Sequence, residues 1–200
     1  VPLTEREHEL YYAGFANEVL WPLFHDLQTR CTFVPDYWEA FRAVNRRFGE
    51  VVAAAKRPGD LIWVHDYQLI GVGETVRGLA PEARLGFFLH IPFPPPDIFA
   101  KLPWRREILR GLLAYDLVGF QTGRDRRNFA ACLRAFLPEA PVRGRGRGQH
   151  VLHAGRRVRI AYFPIGIDAE SFAALARTDG VAARAAQLRA DLGVEHLALG

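Results

Sequence analysis

The sequence predicts an α/β fold in which helices cover both faces of a parallel sheet. The prediction rests on three short apolar segments, 61–65 (LIWVH), 84–90 (RLGFFLH) and 116–120 (DLVGF). Each of them is followed by a helical pattern. Strands that are apolar throughout are typical of parallel sheets buried on both faces, and strands that alternate with helices form such sheets. The chain has 200 residues, 50% of them hydrophobic, and this length suffices for one large domain.

Helices are predicted ahead of the first strand. Thr4 and Glu7 have the spacing of a capping box, and apolar residues recur every four positions after it. Pro22 is expected to bend or interrupt this helix, because proline has no N–H group to donate. A second capping pattern, Asp36 with Glu39, predicts another helix, and the KRPG segment that follows is expected to stop it.

Each predicted strand is followed by a predicted helix, and these helices cover residues 69–79, 104–115 and 124–137. The Arg- and Gly-rich segment 141–150 has low complexity and is expected to be a solvated surface loop rather than a nucleic-acid contact. The residues around Ala154 and Gly155 predict a β-hairpin. An Ala-rich segment, 181–192, is expected to be helical, and HLALG at 196–200 resembles the first strand of a further domain.

The composition excludes several classes of protein. No apolar run approaches the ~20 residues of a membrane span, and the charged start VPLTEREHEL does not fit a secretory signal. A net charge of +4 is too mild to imply nucleic acid and suits an anionic small molecule such as a sugar phosphate. Cys31 and Cys132 lack C-x-x-C spacing, which indicates core thiols of a reduced, cytoplasmic protein. Because the chain has no Met and opens on Val1, we expect it to be an internal piece of a longer protein.

Polar side chains follow the predicted strands. In an open parallel sheet, ligands bind beyond the carboxyl ends of the strands, and these ends lie along one edge. We therefore expect Asp66, His90 and Gln121 to lie together. The Asp66 carboxylate could accept hydrogen bonds from two vicinal sugar hydroxyls, or it could cap the helix that begins near Leu69.

Several alternatives stay open from the residues alone. His90 is either a packed histidine or a catalytic group. His65, Asp66 and His90 could bind a metal, although no fixed ligand spacing supports this. GVGETVRG weakly resembles a dinucleotide-binding loop, but its glycines fall inside a predicted helix. Tyr12 and Trp21 either belong to the core or pack their rings against the C–H faces of a sugar.

Segments spread along the chain closely resemble the trehalose-6-phosphate synthase family, in the same order: YYAGFANEVLWPLFH, WEAFRAVNRRF, IWVHDYQL, LGFFLHIPFPPPDIF, YDLVGFQT and FPIGID. The resemblance implies the N-terminal half of a GT-B fold, in which two Rossmann-like domains face each other. Residues 1–165 would form the Rossmann-like acceptor-binding domain without its first strand. Residues 166–200 would form a linker and the start of the donor-binding domain.

Enzymes of this family transfer glucose from UDP-glucose to glucose-6-phosphate and retain the configuration of the donor carbon. The resemblance implies that Tyr12, Trp21 and Asp66 hold the glucose-6-phosphate. It also implies that His90 is the catalytic residue, at the point where the donor glucose meets the acceptor. Gln121 is expected near the donor cleft. Since no carboxylate nucleophile is evident near Asp66, the resemblance favours a front-face mechanism in which the leaving phosphate accepts the proton of the acceptor hydroxyl.

The resemblance also implies no cofactor and no metal ion, with UDP-glucose and glucose-6-phosphate as the small-molecule substrates. Neither nucleic acid nor a membrane is expected as a partner, and a homo-oligomer of the full-length protein stays open. We expect the 200-residue chain to be inactive alone. The family's arginine for the acceptor phosphate and its diphosphate-binding domain match no residues of the sequence.

Other functions compete with this one. Glucosylglycerol-phosphate synthase is a relative that uses its donor in the same way but has a smaller acceptor. The presence of both Tyr12 and Trp21 favours a hexose phosphate instead. A non-catalytic regulatory domain would bind sugar phosphate without turnover, and the intact acceptor residues argue against a decayed site. A hydrolase would need a second carboxylate about 5–9 Å from Asp66, and the sequence assigns none.

Overall fold

The computed structural model of the chain describes residues 1–193, and of Arg147 only the backbone. The chain divides into two units, Val1–Pro164 and Ile165–Gly200. The roles expected for the two parts of the chain, acceptor binding and the start of a donor-binding domain, stay predictions.

The strands of the first unit are β1 Leu61–His65, β2 Arg84–Leu89, β3 Leu117–Phe120, β4 Val142–Arg143, β5 His150–His153 and β6 Arg156–Tyr162. They form one sheet in the order β1-β2-β3-β6-β5-β4. Strands β1, β2, β3 and β6 run parallel, whereas β4 pairs with β5 and β5 with β6 in antiparallel fashion. The predicted α/β fold with a largely parallel sheet is confirmed, and the first three strands agree with the predicted segments to within one residue.

The β5–β6 hairpin turns at Ala154 and Gly155, as predicted. Both residues have positive φ, 49° and 72°, which is the combination of a two-residue type I′ turn. The segment expected to be a surface loop is more ordered than its composition predicts, because it contains β4 and a 3₁₀ turn at Gly146–Gly148. Val142 and Arg143 pair with residues of β5. Local composition does not predict such pairing.

The chain begins with one continuous helical segment that consists of α1 Glu5–Glu7, a π-helix His8–Leu20 and α2 Trp21–Phe24. The predicted capping box is present. The Thr4 hydroxyl accepts the Glu7 amide at 3.2 Å, and a Glu7 carboxylate oxygen accepts the Thr4 amide at 2.8 Å. The Glu7 carboxylate also forms an ion pair with Arg47 at 2.8 Å, so the start of this segment is tied to the helix that follows it.

Pro22 changes the hydrogen-bonding pattern of this segment without ending it. The π-helix, in which amides bond to carbonyls five residues earlier, gives way to α2 next to the proline. Because Pro22 has no N–H group, it leaves an upstream carbonyl for other donors. The Glu18 carbonyl accepts the amide of Thr32 at 3.1 Å. This bond ties the connection to the next helix, which includes a 3₁₀ turn at Gln28–Arg30, back onto the first one.

The next helix, α3, spans Pro35–Ala55 and ends before KRPG, as predicted. The predicted capping box of Asp36 and Glu39 is wrong, because the helix already begins after Val34 and has proline at its first position. Proline suits that position, since its missing N–H is one that a helix start leaves unpaired anyway. The buried residues of α3 are Trp38, Phe41, Val44, Asn45 and Gly49.

The helices that follow the strands are α4 Val72–Leu79, α5 Pro96–Phe99, α6 Arg105–Leu112 and α7 Gly123–Phe136. Three of them match predicted helices, and α5 is an unpredicted single turn within the proline-rich loop. The predicted start of α4 near residue 69 is instead a separate 3₁₀ turn, Tyr67–Leu69. Helix α7 begins with a capping box in which Thr122 and Asp125 bond to each other's amides at 3.1 and 3.2 Å.

The core of the first unit is rich in aromatic side chains. Tyr115 is fully buried, and its hydroxyl accepts the amide of Gly73 at 3.0 Å, which places α4 directly against the ring. Strand β1 is less covered than a strand buried on both faces, because Leu61 and Trp63 are each 61% exposed. Within the described residues, one face of β1 is therefore open to solvent although its sequence is apolar throughout.

Ionic contacts hold the amino ends of the parallel strands together. One carboxylate oxygen of Asp116 lies 2.7 Å from Arg77 and 3.3 Å from Arg156. The other oxygen accepts the Leu85 amide at 2.8 Å. These contacts join α4 and the starts of β2, β3 and β6 at the edge opposite the one that ends in polar side chains.

The second unit contains α8 Ala169–Ala176 and α9 Asp179–Leu192. Asp168 caps α8 by accepting the Ser171 amide at 3.0 Å. Helix α9 agrees with the predicted Ala-rich helix and ends at Gly193, which has a positive φ of 64°. The strand predicted at 196–200 lies outside the described residues. Across residues 1–193, no helix combines the length and apolar character needed to cross a membrane.

Candidate functional site

The carboxyl ends of β1 and β2 bring Asp66 and His90 into contact. A carboxylate oxygen of Asp66 accepts the backbone amide of His90 at 3.2 Å. Gln121 follows Phe120, which pairs with Leu89, so the register places Gln121 beside His90 at the same edge of the sheet. All three side chains that the sequence assigned to this edge therefore lie there, and Gln121 is half-buried.

Asp66 has a backbone conformation that residues other than glycine rarely adopt. Its φ is 72° and its ψ is 166°, a region populated almost only by glycine, in which other residues carry about 1–3 kcal/mol of strain. Contacts on both sides hold it there, since its amide donates to the Phe88 carbonyl at 2.8 Å and its carbonyl accepts the Leu69 amide at 3.1 Å. The alternative of a helix cap is wrong, because the carboxylate bonds to His90 across the sheet rather than to the turn that follows.

The residue after Asp66 connects this edge to the N-terminal helical segment. Tyr67 is buried, and its hydroxyl donates to the Asn17 side chain at 2.9 Å. Burial raises the pKa of Tyr67 to about 12, and the charges of Asp66 and Tyr12 act in the same direction. The π-helix that carries Tyr12 thus packs against the residue that follows the strained aspartate.

Tyr12 and Trp21 lie at the surface rather than in the core. They are 40% and 38% exposed, while the neighbouring Tyr11 is buried. The ring of Tyr12 stacks on His8 with centroids 5.2 Å apart, and the ring of Trp21 stacks on His25 at 4.1 Å. The alternative that both are core residues is therefore wrong. Each presents aromatic surface to solvent, and such surface can pack against the C–H face of a sugar.

His90 is also exposed, so the alternative of a packed histidine is wrong. Its Nε2 lies 2.8 Å from Nδ1 of His65. From the sequence, His65 was considered only as a metal ligand, and its contact with His90 was not predicted. A signal was available, because His65 directly precedes Asp66 and the parallel register places its strand end beside that of His90. Within the described residues, no group of three or more His, Cys, Asp or Glu side chains could hold a metal ion.

Two other features lie apart from these residues. The glycines of GVGETVRG fall in and next to α4, as expected, and not in a strand-to-helix turn. A cavity of about 580 Å³ lies between α3, α4 and α6 and is lined by both acidic and basic side chains, among them Glu74 and Arg42. None of the predicted site residues lines this cavity, and it belongs to the outer helical side of the unit.

Comparison with known proteins gives one consistent family. The model of Glycosyltransferase family 20 matches residues 1–200. A trehalose-6-phosphate synthase from Mycolicibacterium gilvum is 42% identical over 197 residues, which cover 96% of this chain and 39% of that protein.

Two solved structures have a TM-score of 0.83 with this chain. One is an α,α-trehalose-phosphate synthase (UDP-forming) from Burkholderia xenovorans in complex with glucose-6-phosphate, at 33% identity, covering 94% of this chain and 42% of that one. The other is the trehalose-6-phosphate protein from E. coli bound with UDP-2-fluoro glucose, at 36% identity, covering 96% and 41%. The chain thus spans 39% to 42% of the length of these relatives.

The structural likeness confirms the predicted fold class, a Rossmann-like part of a GT-B fold. Because the family model matches every residue and the relatives exceed 30% identity over nearly all of the chain, the chain belongs to glycosyltransferase family 20.

Proposed function

We propose that this chain forms the acceptor-binding part of a trehalose-6-phosphate synthase, which transfers glucose from UDP-glucose to glucose-6-phosphate with retention of configuration. The relatives support both substrates, because one is solved with glucose-6-phosphate and another with UDP-2-fluoro glucose. The single observation that carries the proposal is the strained Asp66 at the carboxyl end of β1, where its carboxylate contacts the exposed His90.

The strain at Asp66 supports a binding role, because glycine would adopt the same backbone conformation without the steric conflict of a Cβ. A purely structural role would have to offset that strain, yet within the described residues the Asp66 side chain accepts one hydrogen bond, from the His90 amide to one of its two carboxylate oxygens. A carboxylate accepts through both oxygens and suits two vicinal hydroxyls. In the proposed complex, Asp66 accepts hydrogen bonds from the hydroxyls of glucose-6-phosphate.

Tyr12 and Trp21 contribute the apolar surface of the proposed acceptor pocket. Both rings are exposed, and both are held in place by stacking on a histidine of the same helical segment. An aromatic ring loses little conformational freedom when it binds, and its face packs against the C–H groups of a pyranose. A hexose phosphate covers more of this surface than a glycerol phosphate, which favours trehalose-6-phosphate synthase over glucosylglycerol-phosphate synthase.

The remaining roles follow the position of the residues along the edge of the sheet. His90 lies beside Asp66 and contacts the transferred glucose in the proposed complex, and Gln121 lies on the donor side. The leaving phosphate accepts the proton of the attacking hydroxyl, so the reaction needs no protein base, and the proposal includes no metal ion. Cytoplasmic location is part of the proposal, and free thiols support it: Cys132 is buried, and burial raises its pKa to about 12.

Ligand-observed NMR on the 200-residue chain tests the acceptor site. Saturation transfer to glucose-6-phosphate is expected, with weaker transfer to glycerol 3-phosphate. Asp66→Asn should weaken it strongly, because the amide replaces one acceptor oxygen by an NH2 donor and leaves the other uncharged, and the loss of one charge-assisted hydrogen bond, worth about 1.5–3 kcal/mol, already reduces affinity roughly tenfold or more. Asp60→Asn is the matched control, since Asp60 lies at the opposite end of β1 and its carboxylate accepts the Arg57 amide at 2.7 Å.

Two results are expected: transfer to glucose-6-phosphate that depends on Asp66, and weaker transfer to glycerol 3-phosphate. Failure of each leads to a different conclusion. No saturation transfer from the wild-type chain, or equal loss in both variants, would contradict an acceptor site at Asp66. Equal transfer to both phosphates would instead favour the enzyme with the smaller acceptor.

A further inference from the structure

His65, the last residue of β1, contacts His90 ring to ring. Nδ1 of His65 lies 2.8 Å from Nε2 of His90, and the two rings stack with centroids 5.2 Å apart and planes 25° apart. Phe88 and His90 pack in an edge-to-face arrangement with ring centroids 4.8 Å apart, and the ring centroids of Trp63 and His65 lie 4.4 Å apart. Both histidines are nevertheless exposed. The His90 ring is therefore fixed on two sides and open on a third.

The contact determines which nitrogen of His90 a ligand can use. A hydrogen bond between two imidazoles needs a proton on one nitrogen and a lone pair on the other. When His65 donates, His90 accepts through Nε2 and carries its proton on Nδ1. When His65 accepts, Nε2 of His90 carries the proton and Nδ1 keeps its lone pair. In both cases Nε2 is occupied by His65, and Nδ1 is the nitrogen available to a ligand.

The backbone of His90 is fixed by a separate contact, the hydrogen bond from its amide to Asp66. From these contacts we propose that His65 is a positioning residue, which fixes the orientation of the His90 ring, couples its tautomer to that of His65 and so presents Nδ1 to a hydroxyl of the transferred sugar. The inference rests on the proposed function, because that function assigns His90 to the point where the donor glucose meets the acceptor.

Two amide substitutions separate this role from general packing. His65→Asn places an amide near the position of Nδ1, whereas His65→Gln places it further out, near the position of Nε2. The chain is labelled with ¹⁵N-histidine, and the ring nitrogens of His90 are assigned by comparison with His90→Gln. We expect two widely separated ¹⁵N shifts for His90 in the wild-type chain, as for one tautomer. In His65→Gln the shifts should move towards each other, and in His65→Asn they should stay closer to the wild type.

Melting temperature and saturation transfer to glucose-6-phosphate are measured on the same samples and should not change, because the His65 ring contacts His90 rather than Tyr12 or Trp21. His90 shifts that are already averaged in the wild-type chain, or that His65→Gln leaves unchanged, would refute the positioning role even where glucose-6-phosphate binds. Absence of glucose-6-phosphate binding in the wild-type chain, with His90 shifts that still depend on His65, would contradict the proposed function instead.

Discussion

Substitution of Asp66 by glycine and by alanine separates the strain of its backbone from the hydrogen bonds of its side chain. Both variants lose the bond between the carboxylate and the His90 amide, so that loss cancels when they are compared. They differ in one methyl group at a residue with φ of 72° and ψ of 166°. Alanine keeps the steric conflict of a Cβ in this region, and glycine removes it.

The magnitude of the difference follows from two opposing terms. Relief of the strain stabilises the glycine variant by about 1–3 kcal/mol. The greater freedom of glycine in the unfolded chain costs about 0.4–1 kcal/mol. The glycine variant should therefore be more stable than the alanine variant by roughly 0.5–2 kcal/mol, which corresponds to a melting temperature higher by a few degrees in a unit of this size.

Urea denaturation, followed by tryptophan fluorescence, measures the free energy of unfolding of both variants. The matched control is the same pair of substitutions at Asp60, which lies just before β1 and has no positive φ. There the alanine variant should be at least as stable as the glycine variant. If alanine at position 66 were also as stable as glycine, Asp66 would carry no strain, and the argument for a binding role would lose its main support.

Three further predictions concern other parts of the first unit. Trp21→Phe should weaken saturation transfer to glucose-6-phosphate while the free energy of unfolding changes by less than about 1.5 kcal/mol; the reverse result would return this ring to a structural role. Gly73→Ala should lower the melting temperature, because its Cβ would lie 2.6 Å from the buried ring of Tyr115, whereas Gly78→Ala in the same helix meets no atom within 4 Å and should stabilise by about 0.5–1 kcal/mol. The ion pair and capping bonds of Glu7 lower its pKa from 4.5 to about 2. The contribution of Glu7 to stability is therefore present above pH 4.5 and lost as the pH falls towards 2. The difference in melting temperature between the wild type and Glu7→Gln should shrink over that range.

The first three strands and the β5–β6 hairpin could be predicted from sequence because their signal is local, whereas β4 lies in a segment that was expected to be a surface loop. An apolar run bounded by Gly, Pro or charged residues predicts a strand wherever it occurs, and Leu61–His65 has the predicted bounds. The π-helix His8–Leu20 was predicted only as a helix, since apolar spacing does not distinguish hydrogen bonds over four residues from bonds over five. Helix α5 was missed because prolines usually indicate a loop, although proline is accepted in the first turn of a helix.

The site could be predicted only in part for a related reason. The parallel topology places Asp66 beside His90 at one edge of the sheet, and topology follows from the order of the elements. The strain at Asp66 could not be predicted, because local preferences disfavour its conformation and contacts with Phe88 and Leu69 impose it. The contact between His65 and His90 requires both side chains to lie on the same face of the sheet. A shift of one residue in the register of the strands would place them on opposite faces.

The contacts of Asp116 with Arg77 and Arg156 lie at the amino ends of the strands, whereas Asp66 and His90 lie at the carboxyl ends. Contributions to stability from sites this far apart usually add independently. Ligand preference in the proposed acceptor site can therefore change through substitutions at one edge while the other edge preserves the fold. For directed evolution, this separation makes the carboxyl edge the place to randomise and the Asp116 cluster the place to leave untouched.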